Sequence, residues 1–149
     1  MKVLFATDGS QCSDFAAQEI INRPWPTDTE LRIISAAEPF AGPGPETGLS
    51  LPEYCEIIKH ENVDLAKQAI DHTVAVMECG HVLPFKVTTC IAQGPARRVI
   101  LDEAKRWGAD LILVGTHDYG AFDRLLFGSV SSYVAGHANC SVEIARCHH

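Results

Sequence analysis

No apolar run in this chain approaches the ~18–20 residues that cross a bilayer, so no membrane-spanning helix is expected. Basic residues are few. Twelve Lys and Arg against 19 Asp and Glu leave a formal net charge of −7. An acidic chain repels phosphate backbones, which argues against nucleic acid as a partner. The basic pair Arg97-Arg98 falls at an expected helix start and reads as a solvated face. The six cysteines include no Cys-x-x-Cys, which removes the usual thiol-redox and zinc-knuckle spacings. Scattered cysteines of this kind are expected as reduced thiols in or near the core. The tail Cys147-His148-His149 has the ligand types for zinc or copper, but little else in the sequence could complete a coordination shell.

Catalytic and phosphate motifs are also missing. There is no Gly-x4-Gly-Lys-Ser/Thr, no Gly-x-Gly-x-x-Gly, no His-Glu-x-x-His and no nucleophile elbow. A phospho-acceptor signalling domain would need an aspartate closing its third strand, and here that strand reads Val87-Thr88-Thr89-Cys90-Ile91. No paired acid and base or activated nucleophile can be assembled, so an enzyme of robust turnover is not expected.

What remains is the material of one globular domain. The chain has 149 residues, 46% of them hydrophobic, enough to bury a core without staples. Met1 to Ala6 is too short for a signal peptide and runs into the turn Thr7-Asp8-Gly9-Ser10, so it is expected as a first strand of a cytoplasmic protein. Ser10 or Ser13 can cap a helix to Asn22, which Pro24 and Pro26 stop. Leu31 to Ala37 is a second strand, followed by a Pro- and Gly-rich loop over 38–52. A long helix over Pro52–Cys79, closed by Gly80, carries an apolar stripe of Ile57, Val63, Leu65, Ala66, Ile70, Val74 and Met77. Phe85 to Ile91 is a third strand. Gly94-Pro95 opens a third helix, with Val99, Ile100, Ala104 and Trp107 facing the core. Leu111-Ile112-Leu113-Val114 has the unbroken apolar run of a parallel strand buried on both faces. A fourth helix over Ser129–His137 and a last strand over Ser141–Arg146 complete the alternation. Strands and helices in alternation predict a parallel sheet with helices on both faces, wound right-handed.

In such sheets ligands sit at the carboxyl ends of strands where the strand order reverses. Two segments qualify: Thr7 to Ser10 after the first strand, and Gly115 to Ser129 after the fourth. Gly128-Ser129-Val130-Ser131 stands where a loop becomes a helix, and free amides with the helix dipole behind them attract phosphate. The plainer alternative is a turn glycine with Ser129 as N-cap. Asp8 could accept bonds from a ribose or help hold Mg2+, or could simply form an Asx-turn with nearby amides. His117, a loop histidine without catalytic partners, reads as a hydrogen-bonding or solvated residue.

Taken together, Leu4-Phe5-Ala6-Thr7-Asp8-Gly9-Ser10, Gly94-Pro95-Ala96, Trp107 to Gly115, Leu125 to Ser131 and Cys140-Ser141-Val142 resemble the universal stress protein family over the full chain. The resemblance implies a single α/β domain over residues 1–149, a doubly wound five-stranded parallel sheet in order 3-2-1-4-5 of the adenine nucleotide α-hydrolase-like kind, and a homodimer joined through the last strand. It also implies a regulatory or protective role rather than an enzymatic one. Nucleotide-binding members resemble Gly-x2-Gly-x9-Gly-Ser/Thr after the fourth strand. This chain reads Gly115-x2-Asp118-x9-Gly128-Ser129, with the spacing intact and the middle glycine replaced. By the same resemblance Asp8, Gly115, Gly128, Ser129 and Val130 match nucleotide contacts, and Thr7 and Ala36 line the adenine side. Ala6, Thr116, His117, Asp118 and Ser131 complete the candidate set. The implied ligand is ATP or another adenine nucleotide, with Mg2+ at Asp8. Asp118 and Asp123 set negative charge against a triphosphate, and Gly120 keeps the loop pliable. The other reading, a nucleotide-free dimer acting through protein contacts, stays open. In the last strand Val142 and Ile144 alternate with Glu143 and Ala145, and an antiparallel meeting of two such edges would bring Glu143 toward the partner's Arg146.

Overall fold

The computed structural model describes residues 1–39, 50–79, 83–117 and 128–147. The elements run β1 (Lys2–Ala6), α1 (Gln11–Asn22), β2 (Glu30–Ala37), α2 (Leu51–Glu78), β3 (Lys86–Gln93), α3 (Ala96–Trp107), β4 (Leu111–His117), α4 (Ser129–His137) and β5 (Ser141–Cys147). All four strand pairings are parallel, in the order β3-β2-β1-β4-β5. The chain reverses its direction of winding between β1 and β4, which lie side by side with Val3 opposite Leu111 and Ala6 opposite Val114.

Side-chain alternation divides the core into two layers. Val3, Phe5, Leu31, Ile33, Leu111 and Leu113 face α1 and α2, where they meet Ala16, Ala17, Ile20, Ile70 and Met77. Leu4, Ile34, Ile112 and Val114 face the other way, against Ile100 and Ala104 of α3 and Val134 of α4. Strands β1 and β4 are thus buried on both faces, the reason their sequences show unbroken apolar runs.

Ser10 is the N-cap of α1, its side chain accepting from the Ser13 amide. Helix α2 opens with a capping box: Ser50 and Glu53 bond each other's amide and side-chain groups. One expectation about α2 is corrected. Ile57 and Leu65 are exposed, because the helix is anchored by its second half, through Ala66, Ala69, Ile70, Thr73 and Met77. Gly80, named as its stop, lies outside the described residues, as does most of the loop before it. The cysteine expectation also needs correction: Cys12 is buried, but Cys55 and Cys79 stand exposed on α2 and after it. In α4 the N-cap is Gly128, and Ser129 is the first helical residue.

Strand β5 forms one edge of the sheet. Val142 and Ile144 pack against the α3–α4 layer, and Ala145 belongs to the α1–α2 layer. Within the chain Glu143 is held by a residue that the sequence reading did not name. Arg23, at the end of α1, donates to it in a two-pronged fork, Nη1 to Oε2 at 2.6 Å and Nη2 to Oε1 at 2.5 Å.

Candidate functional site

Three backbone ends converge at the winding reversal. Strand β1 ends at Ala6 and turns through Thr7, Asp8 and Gly9 into α1. Gly9 takes φ +74°, and a Cβ there would lie 3.2 Å from Ala69 of α2, so the turn needs a glycine on both grounds. The Thr7 hydroxyl pins this turn. It accepts from the Gly9 amide at 3.1 Å and shares a hydrogen bond with Thr73 of α2 at 2.7 Å.

Asp8 forms the Asx-turn that the sequence allowed. Its Oδ1 accepts from the Ser10 amide at 3.0 Å and from the Ser13 hydroxyl at 2.7 Å, while its own amide donates to Ser13 Oγ at 3.2 Å. Partial desolvation raises its pKa. Hydrogen bonds from the Ser10 and Ser13 side chains and from the amides of Ser10 and Asp8 itself outweigh that effect, so the carboxyl stays below its usual range. Asp8 is therefore an ionised acceptor at neutral pH.

Beside it, β4 and α4 are tied end to end. The Gly128 amide donates to Thr116 Oγ1 at 3.1 Å, and the Ser131 hydroxyl donates to the Gly128 carbonyl at 3.0 Å. The hydroxyls of Thr116 and Ser131 are buried and serve this junction. The amides of Ser129, Val130 and Ser131 belong to the first turn of α4, where no helical carbonyl can reach them.

Between these ends lies a cavity of about 400 Å³. Of the candidate residues, Ala6, Thr7, Asp8, Ala36, Gly115 and Val130 line it. Thr116, Gly128, Ser129 and Ser131 stand behind it at the β4–α4 junction. His117 ends β4, and Asp118 lies outside the described residues. No Lys or Arg lines the cavity among the described residues.

Sequence reasoning missed two of its polar groups, Glu38 and Asn62. The Glu38 carboxylate accepts from the Ala96 amide at 2.7 Å, capping α3 from the end of β2, and its carbonyl accepts from Asn62 Nδ2 at 2.7 Å. A signal was present: Gly94-Pro95 offers α3 no side-chain cap of its own, so one had to come from elsewhere. Glu38 and Asn62 also border a second hollow of about 430 Å³, lined by Leu51, Tyr54, Cys55 and Ile58 of α2 and by Gln93 and Gly94. Among the described residues no three His, Cys, Asp or Glu side chains cluster in a metal-holding arrangement.

A model of the universal stress protein family matches residues 1–146. The chain belongs to the universal stress protein family. Universal stress protein MJ0531 of Methanocaldococcus jannaschii is 29% identical over 147 residues, which span 97% of this chain and 81% of that one. The fold is similar to that of universal stress protein UspA from Lactobacillus plantarum, with a TM-score of 0.76, 24% identity and coverage of 98% and 97%. It is also similar to that of a universal stress protein family protein from Arabidopsis thaliana solved with AMP bound, with a TM-score of 0.68, 18% identity and coverage of 99% and 92%. At these identities the structural likeness speaks for the fold.

Within this universal stress protein the glycines of the β4–α4 segment have unequal roles. A Cβ at Gly115 would lie 2.8 Å from the Cys12 carbonyl oxygen, so the fold itself demands a glycine there. At Gly128 a Cβ would meet only ordinary contacts, 3.5 Å from Ser131 Oγ and from Thr116 Oγ1. Packing among the described residues does not require a glycine at Gly128.

Proposed function

We propose that this universal stress protein is a cytoplasmic adenine-nucleotide-binding module, regulatory or protective rather than catalytic, that works as a homodimer. The observation that carries the reading is the cavity at the β1–β4 reversal, with an ionised Asp8 on one side and the first turn of α4 on the other. Asp8 suits ribose hydroxyls, which donate to an anion. The α4 amides suit a phosphate, because the helix dipole adds to their own charge. Ala6, Ala36 and Ile34 supply an apolar wall for a base. The AMP carried by the Arabidopsis relative is a ligand of this chemistry.

The charge of the lining favours few phosphates. Among the described residues Asp8 and Glu38 border the cavity without a lining cation, and Asp118 replaces the glycine of the family pattern. Each added phosphate brings further negative charge toward these groups, so AMP should bind more tightly than ATP. Any Mg2+ would use Asp8 together with the nucleotide's own oxygens, since Mg2+ usually takes one or two carboxylates plus phosphates and waters. That Asp118 departs from the pattern also supports the second reading, a dimer that binds no nucleotide. The dimer itself would form through the free edge of β5, where Val142 and Ile144 stiffen the strand by packing beneath it.

Thermal unfolding with AMP, ADP and ATP, each with and without Mg2+, tests the reading. A ligand that binds only the folded chain raises the melting temperature as its concentration passes Kd. The expected order is AMP, then ADP, then ATP. No shift with any of them at millimolar concentration favours the nucleotide-free dimer.

A further inference from the structure

The packing of α1 on β5 brings two cysteines together that the sequence leaves far apart. The Arg23–Glu143 fork fixes the end of α1 over the start of β5, so the two elements run in opposite directions. Glu143, Ala145 and Cys147 share the face of β5 that looks at α1. From Arg23 back to Cys12 the helix covers roughly 16 Å at ~1.5 Å per residue. From Glu143 to Cys147 the strand covers roughly 13 Å at ~3.3 Å per residue. The two thiols therefore arrive at the same end of the pair, where Cys147 is among the groups that hold the Cys12 thiol above its usual range. Cys90 and Cys140 pack on the opposite face of the sheet.

We propose that Cys12 and Cys147 form a dithiol site that a peroxide converts into an intramolecular disulfide. The roles differ by exposure. Cys147 is half-buried at the end of the edge strand and is the sulfur an oxidant in solution can reach. Cys12 is 2% exposed, and its thiol is pushed up to about 11 by burial, by the hydrogen bond to Cys147 and by the charges of Cys147 and Asp8. It stays protonated near neutral pH and waits for its neighbour. In the first step the Cys147 sulfur attacks one oxygen of hydrogen peroxide. The O–O bond breaks, the sulfur becomes a sulfenic acid, and the other oxygen leaves as water with the thiol proton. In the second step the Cys12 sulfur attacks the sulfenic sulfur, and the hydroxyl departs as water with the Cys12 proton. Two thiols and one peroxide give one disulfide and two waters. A disulfide of ~2.05 Å needs two cysteines brought to one place by the fold, and the antiparallel packing of α1 on β5 brings these two.

The test treats the reduced full-length protein with a few equivalents of hydrogen peroxide, blocks remaining thiols by alkylation and maps peptides by mass spectrometry without reduction. Of the six thiols, two should be lost, with Cys12 and Cys147 recovered in one cross-linked species from monomeric chains. In Cys12→Ser the reaction should stop at Cys147 sulfenic acid, trapped by dimedone at several times the wild-type yield. Cys147→Ser, a change at a half-exposed strand end, should leave Cys12 unmodified. Six alkylated thiols, bridges confined to the exposed Cys55 and Cys79, or equal dimedone labelling in wild type and Cys12→Ser would overturn the proposal.

Discussion

A Cβ on residue 115 would stand 2.8 Å from the carbonyl oxygen of Cys12, closer than any real contact, so Gly115 is the place where β4 and the first turn of α1 touch backbone to backbone. Gly115→Ala must therefore push α1 away from the sheet. Overpacking of this kind costs about 1–3 kcal/mol. Urea unfolding should show a lower midpoint at an unchanged slope. A midpoint equal to wild type would mean that the α1–β4 contact is looser than described.

Gly128→Ala should behave in the opposite way. The new methyl meets ordinary contacts at 3.5 Å, so the fold should lose no more than ~0.5–1 kcal/mol, the difference between glycine and alanine as an N-cap. On the proposed reading AMP affinity should fall several-fold, because the methyl packs on the Thr116 and Ser131 hydroxyls that set the start of α4. Stability measured by urea and affinity measured by equilibrium dialysis separate the two effects. A large loss of stability with unchanged affinity would reverse the roles assigned to these glycines.

Asp118→Gly restores the glycine of the family pattern and removes one negative charge, which on the proposed reading faces the phosphates. Removing a single charge in a partly exposed crevice is worth ~1 kcal/mol, a several-fold gain in affinity. The gain should be larger for ATP than for AMP. Equal gains, or none, would show that residue 118 does not face the phosphates.

Acid stability follows from two carboxyls. Glu143 is held below its usual 4.5 chiefly by the hydrogen bonds from Arg23, and Asp8 is held below its usual 3.8 as described above. A carboxyl depressed by folding stabilises the native chain above its unfolded pKa, and that contribution disappears as pH falls through the depressed value. Stability should accordingly fall from about pH 5 downward. Side chains of Arg23 and Glu143 are 34% and 33% exposed, so solvent screening limits the pair to ~0.5–1 kcal/mol at neutral pH. Glu143→Gln should lower the urea midpoint at pH 7 and flatten its acid decline. A variant with the wild-type pH profile would show that the fork contributes nothing.

Much of this architecture is readable in the chain because local and global signals agree. The run Leu111 to Val114 is apolar at every position since both faces of β4 are covered, and the breaks at Asp8-Gly9-Ser10 and Gly94-Pro95 fall where strands turn into helices. Periodicity fails where a helix outruns its support. Ile57 and Leu65 continue the stripe of α2 but lie on the half that leaves the core. The ends of β1 and β4 that border the candidate site were legible in the glycine and serine spacing. Its long-range partners were not. Nothing near Glu38 announces that it caps α3, 58 residues away, and nothing near Glu143 points to Arg23, 120 residues away. Contacts of that kind depend on which elements the topology places together.

Calorimetric titration of the wild-type protein with AMP addresses the central claim directly. The account predicts saturable heat with one nucleotide bound per chain, weakened several-fold in Gly128→Ala and weaker for ATP than for AMP. No heat at millimolar AMP, from a protein shown to be folded in the same buffer, would contradict it.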